Sequence, residues 1–173
     1  MFCFIFLRTD PEFLERRTKV KEKEQVIFSI LSTFIFLKGF IIPGLDHRFG
    51  WSNVPTYLTI FADVLILMGY LIIFFVFKQN SFASRIIEVS ENQKIISTGL
   101  YAIVRHPMYI GVLIMFIPTP VALGSYWGLI PLALLPAFLV VRILNEEKVL
   151  SDNLNGYKEY CQKTRHRLIP FIW

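Results

Sequence analysis

Four apolar segments separated by polar loops constrain the fold of this chain more than any other feature. They are Val26–Ile42, Tyr57–Phe77, Met108–Leu123 and Trp127–Leu144. The second has a single charged residue, Asp63, and as a helix it would span roughly 31 Å, about the thickness of a bilayer core. Apolar residues make up 54% of the chain, against about 45–50% in soluble domains. The sequence therefore predicts an all-α membrane protein with about four transmembrane helices.

The positive charges predict the orientation of these helices. Six Lys and Arg residues lie within residues 1–24, one (Arg48) in the loop after the first segment, and four in the loop after the second. The turn between the last two segments has none, and the tail from Arg142 onward has six. Because Lys and Arg accumulate in cytoplasmic loops, both termini are predicted to be cytoplasmic. The basic residues behind the net charge of +5 are thus explained by the orientation of the helices in the membrane. A nucleic-acid partner is not predicted.

The last two apolar segments are predicted to form a C-terminal helical hairpin. Gly124-Ser-Tyr between them is a tight-turn signal. Each segment also contains two prolines, which leave backbone carbonyls inside the membrane without their usual helical donors. Two interpretations stay open, simple kinking of the helices or the opening of a lipid-facing cleft between them.

We interpret residues 1–173 as one membrane domain. It comprises a basic cytoplasmic segment at 1–24, a transmembrane region at 25–144 and a cytoplasmic helical cap at 145–173. The cap is predicted to contain a helix continuing to Leu154, a break at Asn155-Gly156 and a short helix over Tyr157–Thr164.

Arg105-His106-Pro107 lies where the third apolar segment begins. Proline is favoured at the first position of a helix, and the free N–H groups there attract anions. Arg105 adds a forked donor, and His106 adds a group that can donate or accept a proton. The alternative is that Arg105 anchors the membrane edge and His106 caps the helix.

A second polar group lies at the other end of the hairpin. Arg142 and Glu146 are one helical turn apart and share a face, so they could form an ordinary ion pair. Charged side chains at the edge of an apolar helix are costly unless they are paired or contact a ligand. The position of Arg142 and Glu146 therefore favours a functional site. We expect Glu147 to point elsewhere and to be solvated or to support the helix.

The remaining polar residues give weaker signals. We expect Asp63 to face the helix bundle and bond a neighbour, with a direct ligand role as the alternative. His47 and His166 lie in loops without a cluster of other ligands, so no metal site is predicted. Glycine-rich nucleotide-binding motifs are absent from the sequence.

The two polar groups, Gly99-Leu-Tyr-x-x-Val-Arg-His-Pro-x-Tyr-x-Gly111 and Arg142-x-x-x-Glu-Glu147, resemble the isoprenylcysteine carboxyl methyltransferase family. That family is related to the phospholipid N-methyltransferases. The resemblance covers nearly the whole chain and extends to four further elements: Asp10–Arg17, Leu45–Ser52, Tyr157–Tyr160 and Arg167–Pro170. Family members often have a further helix before the first of these elements, so the resemblance implies a shortened N-terminus.

The resemblance implies a multi-pass membrane enzyme that uses S-adenosylmethionine, with its active site on the cytoplasmic side. Arg142 would meet the methyl-accepting group, and Arg105 would lie beside the reaction centre. The implied cofactor contacts are a strand-like Gln93, Lys94, Ile95 and Ile96, followed by Tyr101, His106, Pro107, Met108, Tyr109 and Glu146. The acceptor would be a lipophilic molecule that enters from the bilayer and presents a carboxylate.

Three other functions stay open from the sequence. A phospholipid amine or another lipid could accept the methyl group. A membrane reductase that uses a reduced nicotinamide such as NADPH could share the helical architecture. A non-catalytic scaffold or small transporter would not need the polar residues at both ends of the hairpin.

Overall fold

The computed structural model describes residues 23–80 and 95–173. Helices are the regular secondary structure of this part of the chain. In chain order they are α1 (Lys23–Phe49), α2 (Thr56–Gln79), α3 (Leu100–Ile103), α4 (Pro107–Phe116), α5 (Thr119–Ala122), α6 (Leu129–Leu132), α7 (Leu135–Asn153) and α8 (Tyr157–Lys163).

Three long apolar helical stretches and one shorter one form the membrane region of the described chain. Ser29–Phe49, Thr56–Gln79 and Leu129–Asn153 are long and apolar enough to cross a bilayer, and Pro107–Ala122 is a shorter apolar helix. Large apolar side chains cover the outside of these helices; Ile60 and Leu67 of α2, for example, are more than half exposed. A surface of this kind is stable in lipid rather than in water, which confirms the predicted all-α membrane fold.

The first helix is longer than the apolar segment predicted for it. It passes through Pro43 and ends at Phe49. The next residue, Gly50, has a φ of +67°, the left-handed conformation that glycine adopts after helix ends. Near this end Asp46 is 1% exposed and accepts hydrogen bonds from the Ser52 amide and hydroxyl, each at 2.6 Å. The Ser125 hydroxyl in the hairpin turn also donates to Asp46, so this carboxylate joins α1 to the hairpin.

Each arm of the hairpin has a break in its helix close to a proline. The first arm is divided into α4 and α5 around Pro118, and the second into α6 and α7 just before Pro136. The predicted turn is present, and Gly124 in it has a φ of +78°. The structure thus confirms a hairpin, with each arm formed by two helical pieces rather than one.

The membrane helices α2 and α4 approach each other closely at Gly69 and Gly111. A Cβ atom on Gly69 would lie 2.6 Å from the Met115 amide nitrogen and 2.7 Å from the Gly111 carbonyl oxygen. Small residues allow membrane helices to approach to backbone contact. Since α4 follows directly after Arg105 and His106, this crossing fixes the position of the candidate site relative to α2.

The expectation for Asp63 is wrong. The buried residues of α2 are Ala62, Gly69 and Val76, seven residues apart along one face. Asp63 lies about 100° around the helix from Ala62, and its side chain is exposed in the described structure. Asp46 near the end of α1, and not Asp63, is a buried acidic residue of the described membrane helices.

The cap folds back over the start of the hairpin. The break predicted at Asn155-Gly156 is present, and α8 follows it over Tyr157–Lys163. The Tyr160 hydroxyl donates to the Tyr101 carbonyl at 2.8 Å. After α8, residues 165–173 form a C-terminal strap, whose Leu168 is part of a buried cluster with Tyr109, Leu135, Leu139 and Ile143.

Two sequence predictions concern the loop after α2. Gln93 and Lys94 lie outside the described residues, as does most of the basic segment at 1–24. Ile95 and Ile96 are described and are half-buried, but they have no strand conformation. The structure assigns no strand to these two residues, and the strand-like segment as a whole stays a prediction.

The glycine crossing predicts the effect of one added methyl group. Gly69→Ala should destabilise the protein by about 1–3 kcal/mol, because α4 must shift to accept the Cβ atom. The matched control is Gly44→Ala in α1, whose Cβ would have nothing within 4 Å and should be neutral or slightly stabilising. Thermal unfolding midpoints in detergent measure both, and equal midpoints would contradict the crossing.

Candidate functional site

The candidate site begins at the turn that precedes α4. The Arg105 amide donates to the His166 carbonyl at 3.0 Å, and the His106 amide donates to the Arg167 carbonyl at 2.9 Å. These two bonds attach the C-terminal strap to the turn. Pro107 then starts α4, as the fixed φ of proline favours.

The imidazole of His106 lies between two glutamate side chains. Its Nε2 atom is 3.3 Å from Glu147 Oε1, and its Nδ1 atom is 3.9 Å from Glu146 Oε2. Because a carboxylate can only accept, the Nε2–H group donates in the shorter contact. The ring is buried and stacks on Tyr109 with a centroid distance of 5.7 Å.

Tyr109 connects the two polar residues of α7. Its hydroxyl accepts a hydrogen bond from Arg142 Nε at 2.8 Å and donates to Glu146 Oε2 at 2.7 Å. The phenol therefore connects the cation to the anion. Because Tyr109 lies in the first turn of α4, this contact also joins the two arms of the hairpin at their open end.

Glu147 is at the centre of the site, and the expectation that it points elsewhere is wrong. Its Oε1 atom is 2.9 Å from Arg105 Nε and its Oε2 atom is 2.8 Å from Arg167 Nε. The residue is 9% exposed. The Arg105 N–H is not directed along its contact, so that attraction is ionic without hydrogen-bond geometry.

These contacts form one continuous polar path from Arg142 to Arg167. The path runs through Tyr109, Glu146, His106 and Glu147. With Arg105 beside it, the path holds three guanidinium groups and two carboxylates, a formal charge of +1 when His106 is neutral. A partly buried cluster with one excess positive charge favours an anionic group of a ligand.

Tyr101 lies at the edge of this cluster, outside the membrane helices. Its hydroxyl accepts a hydrogen bond from the Asn80 side chain at 2.9 Å. Burial, together with the charge of Glu146, raises the pKa of Tyr101 to about 12. Burial likewise raises the pKa of Tyr157 and Tyr160 in α8, so all three phenols stay protonated well above physiological pH.

The structure brings most of the predicted site residues together. Arg105, His106, Tyr109, Arg142 and Glu146 are joined by the contacts above. Pro107 is buried beside them, and Met108 packs against the buried cluster that contains Tyr109. Ile95 lies further away, where its Cδ1 atom would be 3.2 Å from a Cβ on Gly156.

Two members of the cluster had no predicted contact in the site, Glu147 and Arg167. A sequence signal existed for both. Glu147 is the second acid of the Arg142-x-x-x-Glu-Glu147 motif, and Arg167 begins the quoted Arg167–Pro170 element. Helical spacing places Glu147 about 100° around the helix from Glu146. For this reason the sequence predicted that Glu147 lies outside the environment of Arg142 and Glu146.

The fold and the site define an all-helical membrane protein with a polar cluster at the open end of a helical hairpin. In the described residues, no group of three or more His, Cys, Asp or Glu side chains could hold a metal ion. A family model described as phospholipid methyltransferase matches residues 57–155, more than half of the chain. This chain therefore belongs to the phospholipid methyltransferase family.

The matched region contains α2, the whole hairpin and α7, and with them Arg105, His106, Tyr109, Arg142 and both glutamates. A comparison with curated proteins gave no match. Family membership makes this chain a membrane methyltransferase.

The central position of Glu147 predicts a large effect on stability. Glu147→Gln keeps the side-chain volume but leaves Arg105 buried without its counter-ion, so it should destabilise the protein by about 3–5 kcal/mol. Glu146 is more exposed, so Glu146→Gln should cost at most about 1 kcal/mol. Thermal unfolding in detergent compares the two variants, and equal losses would contradict the central role of Glu147.

The raised pKa of Tyr101 predicts a loss of stability at alkaline pH. The unfolded chain loses this proton near pH 10 and the folded protein near pH 12, so the folded state binds it more tightly. The stabilisation is complete below pH 10 and is lost as the pH rises from 10 to 12, by about 2 kcal/mol from this residue. Unfolding midpoints across this range should fall less steeply in Tyr101→Phe than in the unchanged protein. Identical slopes would contradict the assignment.

Proposed function

We propose that this chain transfers a methyl group from S-adenosylmethionine to a lipophilic acceptor at the cytoplasmic edge of the membrane. The observation that carries the proposal is the continuous polar path from Arg142 to Arg167 at the open end of an apolar hairpin. Charged groups at a membrane edge are costly. Here five of them converge, and four of the five lie within the residues matched by the phospholipid methyltransferase family model.

The side chains of the site suit the chemistry of S-adenosylmethionine. That molecule supplies a methyl group already activated on a cationic sulfonium, and it carries ribose hydroxyls and an amino-acid carboxylate. Glu146 is a partly exposed carboxylate that can accept from hydroxyls or face a cation. The start of α4 and the excess positive charge of the cluster suit the carboxylate.

The residues proposed to hold the cofactor are those implied by the resemblance. His106, Pro107, Met108 and Tyr109 form the beginning of α4, and Glu146 contacts Tyr109 from α7. Tyr101 is proposed to border the same space, where its hydroxyl accepts from Asn80 after α2 and its carbonyl accepts from Tyr160 of the cap. Ile95 and Ile96 are proposed to contact the cofactor from the loop after α2, together with Gln93 and Lys94, which lie outside the described residues.

A carboxylate acceptor of the isoprenylcysteine type is the first candidate. A carboxylate is ionised at neutral pH and needs no base, so the task of the protein is to align it and exclude water. Arg142 is proposed to orient the carboxylate through its forked donors, held in place by its bond to Tyr109. Arg105 is proposed to lie beside the reaction centre and to contribute positive charge.

A phospholipid amine is the second candidate, and the family match favours it equally. An amine must lose a proton before or during the transfer. The pair of His106 and Glu147, with 3.3 Å between Nε2 and Oε1, is the kind of arrangement that takes up such a proton.

The acceptor is proposed to enter laterally from the bilayer. An open and mainly apolar groove lies between α2 and the start of α3. Its lining residues are Ile72, Phe75, Lys78, Gln79, Gly99 and Leu100. Lys78 at the end of α2 could meet a lipid phosphate there, while the apolar residues face the hydrocarbon chain.

If Arg142 orients the acceptor, its removal should lower turnover without weakening cofactor binding. Arg142→Ala should reduce turnover with a carboxylate acceptor by about 100-fold or more, the scale of losing one oriented charged contact in the transition state. Binding of S-adenosylhomocysteine, measured by calorimetry on detergent-solubilised protein, should stay within about twofold. The matched control is Arg48→Ala, which removes an exposed arginine at the far end of α1 and should change neither quantity.

Equal loss of binding and turnover in Arg142→Ala would show that Arg142 holds the cofactor and not the acceptor. If the unchanged protein bound no S-adenosylhomocysteine but bound a reduced nicotinamide, a reductase would replace the proposed methyltransferase activity. If it bound neither, a scaffold would.

The chemical stability of the product distinguishes the two acceptors. The protein is incubated with methyl-labelled S-adenosylmethionine and a membrane lipid extract, and the labelled product is treated with base. A methyl ester releases its label as volatile methanol, whereas a methylated amine keeps the label in a non-volatile product, because base does not cleave the carbon–nitrogen bond. We expect base-labile label, and base-stable label would replace the carboxylate acceptor by an amine.

A further inference from the structure

The C-terminal strap ends in a strongly exposed apolar tip. Phe171 is 93% exposed and Ile172 is 77% exposed, and Ile169 beside them is 48% exposed. Phe171 is the most exposed of the large apolar residues of the described chain. Unlike Ile60 or Leu67, these residues do not lie on a membrane-spanning helix, so the membrane core does not account for their exposure.

The tip is held in a defined conformation. Phe171 has a φ of +65° and is the one non-glycine residue with positive φ in the described chain; this conformation is unfavourable for a bulky side chain. The Phe171 amide donates to His166 Nδ1 at 3.2 Å, and the Trp173 amide donates to the Ile169 carbonyl at 3.1 Å. Such strain persists only where the surrounding contacts fix the backbone, so the exposed side chains are presented by a rigid turn.

The position of Trp173 places this turn beside the membrane. Its ring packs against the buried cluster that contains Leu139 and Ile143, which belong to the membrane-spanning stretch Leu129–Asn153. The guanidinium of Arg167 also lies over this ring, 5.3 Å from its centroid. A tryptophan between an apolar cluster and a cation is typical of the membrane interface.

The charge around the tip suits an anionic surface. Residues 157–173 contain four Lys or Arg residues and one acid, Glu159, a formal net charge of +3. Of these cations, Lys163 just before the strap and Arg165 at its first position are both exposed. Basic residues next to exposed apolar side chains bind membranes that contain anionic lipids.

We propose that the tip formed by Ile169, Phe171 and Ile172 inserts into the interface of an anionic leaflet, with Lys163 and Arg165 contacting lipid headgroups. The strap is bonded to Arg105 and His106 at its other end. Insertion would therefore fix the candidate site at a constant depth relative to the lipid surface. This inference is independent of the methyl transfer and would hold for any reaction at the site.

The test measures the environment of residue 172 in the full-length protein. Ile172→Cys, in a background with Cys3→Ser and Cys161→Ser, is labelled with an NBD fluorophore and reconstituted into vesicles of phosphatidylcholine mixed with phosphatidylglycerol. The matched control is Glu159→Cys on the exposed side of α8. Quenching by a nitroxide near the headgroup end of the lipid chains is compared with quenching by aqueous iodide.

We expect the label at 172 to lose most of its emission to the lipid nitroxide and little to iodide, and the label at 159 to show the reverse. Replacing phosphatidylglycerol by phosphatidylcholine, or introducing Lys163→Gln with Arg165→Gln, should weaken the lipid quenching at 172. Protection of 172 from both quenchers would indicate a protein contact and overturn the proposal. Quenching by iodide at 172, or equal lipid quenching at 159, would also overturn it.

Discussion

The carboxylate of Glu147 is the interaction on which the rest of the site depends. Arg105 is buried, and a buried guanidinium without a counter-ion would cost several kcal/mol. Glu147 compensates it with one oxygen and contacts Arg167 with the other. The three residues come from the turn before α4, from α7 and from the C-terminal strap, so one carboxylate joins three segments that are far apart in sequence. Removing it would leave two like charges close together in a region with little water.

The position of Glu147 also determines how its neighbour Glu146 is used. The side chains of Glu146 and Glu147 leave α7 in directions about 100° apart. The His106 ring lies between these two side chains, with Nδ1 near Glu146 and Nε2 near Glu147. Both carboxylate oxygens of Glu147 are paired with arginines. Glu146 is more exposed and accepts a hydrogen bond from the Tyr109 hydroxyl. Adjacent acids of identical chemistry are thus divided between a structural and a more accessible position. This division supports the proposal that Glu146, and not Glu147, contacts a ligand.

The sequence predicted what depends on hydropathy and on local turn signals, and missed what depends on packing between distant segments. The membrane helices, the turn at Gly124 and the break at Gly156 follow from local composition, and all are present. The convergence of Arg105, His106, Tyr109, Arg142 and Glu146 was predicted because the two motifs flank one hairpin. Asp63 was assigned to the wrong face, because which side of α2 is buried depends on the glycine contact with α4. Glu147 was misjudged because its partner Arg167 reaches it only through the fold of the cap.

Helix α7 limits the kind of acceptor that the proposed reaction can use. Val141 and Leu144 on its outer face are about half exposed, whereas Arg142 and Glu146 lie inward along the same two turns. Arg142 and Glu146 are separated by a rise of about 6 Å. Under the proposed function, the reacting group must therefore lie within about one helical turn of the apolar part of the acceptor. A carboxylate attached close to a long apolar chain meets this condition directly.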